Sequence, residues 1–107
     1  MMTPTPLDKR ESTDRFILDL HGAYLPRTDL SFANLEGAKL HGADFTGADW
    51  RGVNLKDARL EGTILRGADL TGAKNVTVEQ LRSAVIDKTT KLPEGFDFEE
   101  LRRTASA

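Results

Sequence analysis

The chain has 107 residues, 38% of them hydrophobic and 30% charged, with 15 Lys and Arg against 17 Asp and Glu. This is the composition of one soluble globular domain. The net charge of −2 argues against nucleic-acid binding through a broad basic field and against a strongly acidic tail. There is no cysteine, and so no disulfide framework, thiolate nucleophile or zinc–thiolate site.

The first segment, residues 1–15, is polar and carries Thr3-Pro4 and Thr5-Pro6. It reads as a disordered N-terminal arm. It lacks the apolar stretch of a signal peptide, and no apolar run in the chain approaches the ~18 residues of a membrane span. A cytoplasmic protein without a membrane span is the expectation.

Glycine then sets the pattern. Gly22, Gly37, Gly42, Gly47, Gly52, Gly62, Gly67 and Gly72 are separated only by multiples of five. In the same frame Leu20, Leu25, Leu30, Leu35, Leu40, Phe45, Trp50, Leu55, Leu60, Leu65 and Leu70 hold one position, all of them large and apolar. Two residues earlier the chain carries mostly small residues, such as Ala23, Ala38, Ala43 and Ala68. The residue between is polar, often Asp or Asn: Asp19, Asp29, Asn34, Asp44, Asp49, Asn54, Asp69. A fixed short period marks a repeat architecture.

A period of five suits neither regular element. On an α-helix the leucines would spiral around the whole surface. On a continuous strand an odd period flips them to the opposite face at each repeat. Small and large residues point inward together only if each unit is a short extended side followed by a corner. Glycine, free at positive φ, suits the corner. The chain then winds into a coil whose turns stack ~4.8 Å apart. This argument leaves the number of sides open.

Units such as Ala33-Asn34-Leu35-Glu36-Gly37, Ala43-Asp44-Phe45-Thr46-Gly47 and Ala68-Asp69-Leu70-Thr71-Gly72 resemble the pentapeptide-repeat family, over eleven consecutive units in residues 18–73. The resemblance implies an all-β solenoid, a right-handed quadrilateral β-helix with four units per coil. It implies a little under three coils for residues 16–75. The large apolar residues of the repeat would be its structural core.

A solenoid needs closed ends. Phe16 and Ile17 are expected to shield the first coil. Thr77 and Gln80 read as a capping box, and Val78, Leu81 and Val85 share a helical face. A capping helix is expected near 78–86, followed by a turn to residue 93. In the tail, 94–107, Asp97 suits the N-cap of a short helix, with Glu100 three residues on. Phe96, Phe98 and Leu101 would pack on the solenoid wall or serve as a docking edge.

Four units per coil would stack residues twenty apart. Asp29, Asp49 and Asp69 then form a carboxylate ladder whose members would raise one another's pKa, unless Arg51 neutralises them. This ladder reads as structural rather than as a cation site. His21, His41 and Glu61 form a second ladder of metal-ligating types, read as exposed side chains. Tyr24, Asp44 and Ile64 form a third, with Tyr24 and Ile64 as candidate contact residues. No catalytic set, cofactor site or metal site is expected.

The functional expectation is a non-enzymatic protein–protein interaction or scaffold module, binding an unidentified protein partner, as a monomer or weak homodimer without direct nucleic-acid binding. The alternative comes from the resemblance: the family's quinolone-resistance members are long dimeric rods that imitate DNA and bind DNA gyrase. Duplex DNA would carry roughly eight phosphates over ~13 Å of rod. From Asp19 to Lys74 eight acidic residues face seven basic ones, a poor imitation.

Overall fold

The computed structural model describes residues 17–105. The arm expected at 1–15 and the shielding expected of Phe16 lie outside the described residues. Within each unit the chain makes a four-residue turn. The Leu20 carbonyl accepts from the Ala23 amide at 3.0 Å, and the same bond recurs from Leu35 to Ala38 and from Leu40 to Ala43. The third residue of the turn stands at positive φ, 71° at Gly22 and 72° at Gly42, as a type II turn requires. Three corners lack glycine: Arg27, Phe32 and Asp57 hold the same conformation at 57°, 63° and 60°.

Between corners, one residue per unit pairs in parallel with the residue twenty further on. Twenty residues at five per side give four sides. The first side carries Asp19, Lys39 and Arg59; the second Tyr24, Asp44 and Ile64; the third Asp29, Asp49 and Asp69; the fourth Asn34, Asn54 and Lys74. Each rung donates one way and accepts the other. The Asp49 amide donates to the Thr28 carbonyl, and the Leu30 amide to the Asp49 carbonyl, both at 2.9 Å.

The interior is filled. Leu35, Leu40, Phe45, Trp50, Leu55, Leu60, Leu65 and Leu70 are all buried, with Ala38, Ala43, Ala48, Val53, Ala58 and Ala68 beside them. Trp50 meets Phe45 edge to face, ring centroids 4.9 Å apart. Buried Thr63 satisfies its hydroxyl by donating to the Leu40 carbonyl at 2.7 Å. In the first coil Leu20, Leu25 and Leu30 are only half-buried.

After Lys74 the chain enters helix α1, Val78–Ser83. Thr77 Oγ1 accepts from the Gln80 amide at 3.1 Å, and Gln80 Oε1 accepts from the Thr77 amide at 2.9 Å. Gln80 Nε2 also donates to the carbonyls of Leu55 (2.7 Å) and Ala58 (3.0 Å). These carbonyls are thereby satisfied, and Leu81 is driven into the core. The helix ends three residues earlier than the sequence suggests. Ala84 is extended because the chain rejoins the ladder. The Val85 amide donates to Thr63, and the Leu65 amide to Val85, each at 2.8 Å. Val85 pairs with Ile64 and Lys91 with Asp69, so two sides continue beyond the repeat with offsets of 21 and 22. Buried Thr90 donates its hydroxyl to the Leu65 carbonyl at 2.8 Å.

Helix α2, Phe98–Ala105, packs against α1. The Asp97 carboxylate accepts from the Glu99 amide at 3.3 Å. Glu99 and Glu100 lie in the first turn and Arg102 and Arg103 in the last, the polarity a helix dipole favours.

Candidate interaction surface

The outward carboxylates are built into the corners. Asp29 Oδ1 accepts from the Ser31 amide at 3.0 Å and from its hydroxyl at 2.7 Å. Asp44 does the same with Thr46, and Asp69 with Thr71. Asp49 accepts the Arg51 amide and both arms of its guanidinium, at 2.8 and 2.7 Å. Asn34 and Asn54 accept the amides of Glu36 and Lys56, and the Asn54 amide group donates to Asn34 at 3.0 Å. An acidic or amide side chain precedes each of these corners because it accepts the amide two residues on.

This corrects the expectation of mutually raised carboxylates. Asp29, Asp49 and Asp69 all lie below the ordinary Asp value. The hydroxyls of Ser31 and Thr71 hold Asp29 and Asp69 down, and the Arg51 guanidinium holds Asp49 down; the Asp49 charge pushes Asp29 up only as a minor effect. Hydrogen bonding to the charged form outweighs like-charge repulsion on an exposed face.

His21 and His41 stack, ring centroids 5.0 Å apart and planes within 8°. His21 Nδ1 lies 2.6 Å from Asp19 Oδ1, and Glu61 pairs with Arg59 at 3.5 Å. Stacked rings do not converge on one point, and among the described residues no group of three or more His, Asp or Glu is placed to hold a metal ion.

Tyr24 is 77% exposed and shares the second side with Asp44 and half-buried Ile64. Leu101 is buried against α1, and Phe96 packs on the core from its edge. Internal packing therefore consumes Leu101 and most of Phe96 as contact candidates. Phe98 is half-buried, with the Arg102 guanidinium 5.7 Å above its ring. A groove of about 210 Å³ runs between the helices, lined by Leu81, Arg82, Val85, Ile86, Phe98 and Leu101. The sequence reading did not single out Phe32, which is 74% exposed. Its signal was an aromatic residue standing at a glycine corner.

A filled four-sided coil with side-chain ladders on its flanks defines a β-helical solenoid, a class that works through its outer surfaces. The pentapeptide-repeat family model matches in eight copies over residues 18–52 and 38–74, and the chain belongs to the pentapeptide-repeat family. Such proteins fold as right-handed quadrilateral β-helices and act in general as non-enzymatic interaction or structural modules. The chain is similar to the pentapeptide repeat protein Rfr23 of the cyanobacterium Cyanothece 51142. The two share 41% identity over 69% of this chain and 50% of that one, with a TM-score of 0.61. It shares its fold with QnrB1, a plasmid-mediated fluoroquinolone resistance protein, at 18% identity over 83% of this chain and 42% of that one, TM-score 0.62. The chain thus spans half or less of the length of either structure. Among curated proteins none matches it. No helix of the described residues is long and apolar enough to cross a membrane.

Proposed function

We propose that the chain is a non-enzymatic protein–protein interaction module. Three coils present rigid side-chain ladders and α1 closes the C-terminal end. The observation that carries this reading is the solid interior: inward positions from Leu35 to Leu70 are filled, leaving no cleft inside the coil in which a substrate could be enclosed. The partner is a protein in the cytoplasm of a bacterium, met by the second side, where Tyr24 and Ile64 flank Asp44, or by Phe98 beside the helix groove. The protein itself is a monomer or weak homodimer.

The fold likeness to QnrB1 brings up the alternative of a DNA-mimicking gyrase- or topoisomerase-binding protein. Charge weighs against it. Basic residues stand among the acids on three sides of the coil, as Lys39 and Arg59, Lys74, and Arg51 beside Asp49.

Affinity capture from bacterial lysate with the intact chain tests both readings, run beside Tyr24→Lys and Phe98→Lys variants. A protein retained by the intact chain and lost with one variant supports recognition at that site. Capture of gyrase, with inhibition of supercoiling by the pure protein, would overturn the main reading in favour of the alternative.

A further inference from the structure

The second side of the coil ends, at Val85, on a rung with one edge unused. Each lower rung is tied to the next by the two residues that flank it. The Asp44 amide donates to the Ala23 carbonyl, and the Leu25 amide to the Asp44 carbonyl. Ala43 and Phe45 hold Ile64 in the same way, and Thr63 and Leu65 hold Val85, every bond 2.8 Å long. Around Val85 the corresponding groups are the Ala84 carbonyl and the Ile86 amide. Neither has a hydrogen-bond partner among the described residues. Both residues line the groove of about 210 Å³ between the helices, where Leu81, Phe98 and Leu101 supply apolar walls. An unused strand edge beside an apolar hollow is a template for an extended peptide.

Charge says what kind of peptide. The chain as a whole carries −2, yet the described residues lining this groove include Arg82 and Arg102 and no carboxylate. Arg82 is exposed and has no ion-pair partner among the described residues. Arg102 meets Glu99 at 3.4 Å with both side chains largely exposed, a contact weak enough to be exchanged for another. Asp97 and Glu100 line a second hollow, which shares Arg82 and Leu101 with the groove.

We infer that the groove takes a short extended peptide of a protein partner, added as one more rung beyond Val85. An apolar side chain of the peptide fills the groove, and an acidic residue beside it faces Arg82 and Arg102. The inference rests on the reading of the chain as an interaction module and names what its helix groove holds. Two backbone groups in register with the ladder call for another backbone. A fatty acid would meet the apolar walls and the arginines but leave the Ala84 carbonyl and the Ile86 amide as they are. One rung and one anchoring side chain make a small contact, so a single peptide binds weakly. The carboxylate–arginine part of it weakens further with salt.

A random octapeptide library, displayed in multiple copies so that weak binders are retained, is selected on the full chain. Enriched peptides are then synthesised and titrated while amide exchange is followed along the chain. The expected peptides join an apolar residue to Asp or Glu. The Ile86 amide should exchange freely in the chain alone and slow as peptide is added. Reversing both arginines, Arg82→Glu with Arg102→Glu, should weaken binding about tenfold or more. N-methylation walked along the peptide should find a position that abolishes binding. Enrichment of peptides without acidic residues would overturn the inference, as would affinity indifferent to the arginine reversals. So would an Ile86 amide already protected in the chain alone, whether by a second copy or by the chain itself. Should the reversed chain fail to fold, the N-methylation series on the unaltered chain decides. Peptides that protect no groove amide but perturb Tyr24 and Asp44 would overturn the groove and leave the module reading standing. A chain that selects no peptide and retains no lysate protein would overturn both.

Discussion

Phe32 lays its ring over Gly52. A Cβ on Gly52 would fall 2.4 Å from Phe32 Cδ1 and 2.5 Å from Cε1. Both residues stand at positive φ, 63° and 69°; the glycine adopts it freely, so in this stacked pair of corners the strain sits on Phe32. Gly52→Ala should destabilise by about 1–2 kcal/mol from φ alone, and by more because the ring must move. Phe32→Gly should stabilise, by up to about 1 kcal/mol. In a Phe32→Gly background the cost of Gly52→Ala should shrink. A double-mutant cycle by urea unfolding reads the coupling, and strict additivity would contradict the contact.

Trp50 is fully enclosed, and its Nε1 has no hydrogen-bond partner among the described residues. Trp50→Ala should cost about 3–5 kcal/mol. Trp50→Phe should cost less than its lost volume implies, because it also removes an unsatisfied buried donor worth roughly 1–3 kcal/mol. Urea midpoints check the pair; an unchanged midpoint for Trp50→Ala would remove the case for an inward Trp50.

Much of this was legible in the residues. The spacing of glycines and leucines implies corners and an inward column without reference to any relative. Other features were hidden for physical reasons. Arg27 and Phe32 adopt a glycine-like conformation because neighbouring coils impose it, and no local propensity announces that, whereas Asp57 is of a type that tolerates the left-handed region. Helix α1 stops at Ser83 because the open edge at Thr63 and Leu65 competes for Val85, a tertiary effect invisible in the helical periodicity of Val78, Leu81 and Val85. The direction of the aspartate ladder's pKa shifts was misjudged because spacing reveals the like charges, while the amide and hydroxyl two residues on appear only once the corner is built. The stacked His21 and His41 and the shared side of Tyr24 and Ile64 follow from four units per coil, which the family resemblance implies and the spacing alone leaves open. The burial of Leu101 depends on how α2 meets α1.

Acid should weaken the fold through the corner aspartates. Asp29, Asp44, Asp49 and Asp69 lie below their ordinary value in the folded state, against about 3.9 when unfolded. Their contribution is complete above the unfolded value and is lost as pH falls through the lowered folded values. The urea midpoint should therefore hold from pH 7 to about 5 and decline below about 4. Asp69→Asn keeps an acceptor for the Thr71 amide and should flatten part of that decline. An equally steep decline in Asp69→Asn would contradict this account of its charge.

Gln80 links α1 to the coil by both ends of its amide. Thr77→Ala should cost about 1 kcal/mol through loss of the N-cap. Gln80→Glu preserves the acceptor for the Thr77 amide but places a carboxylate against the carbonyls of Leu55 and Ala58. It should therefore destabilise more than Thr77→Ala. Thermal melts at neutral pH compare the two, and the reverse order would contradict the role of Gln80 Nε2.

Pairing at a spacing of twenty underlies every other statement about this chain. Hydrogen-bond scalar couplings by NMR on the full protein read it directly. The structure predicts couplings from the Asp49 amide to the Thr28 carbonyl and from the Leu30 amide to the Asp49 carbonyl, both 2.9 Å long, with the same spacing repeated from Asp44 to Ala23 and from Leu25 to Asp44. Couplings between residues four apart, or between neighbouring units in hairpin fashion, would contradict the four-sided coil.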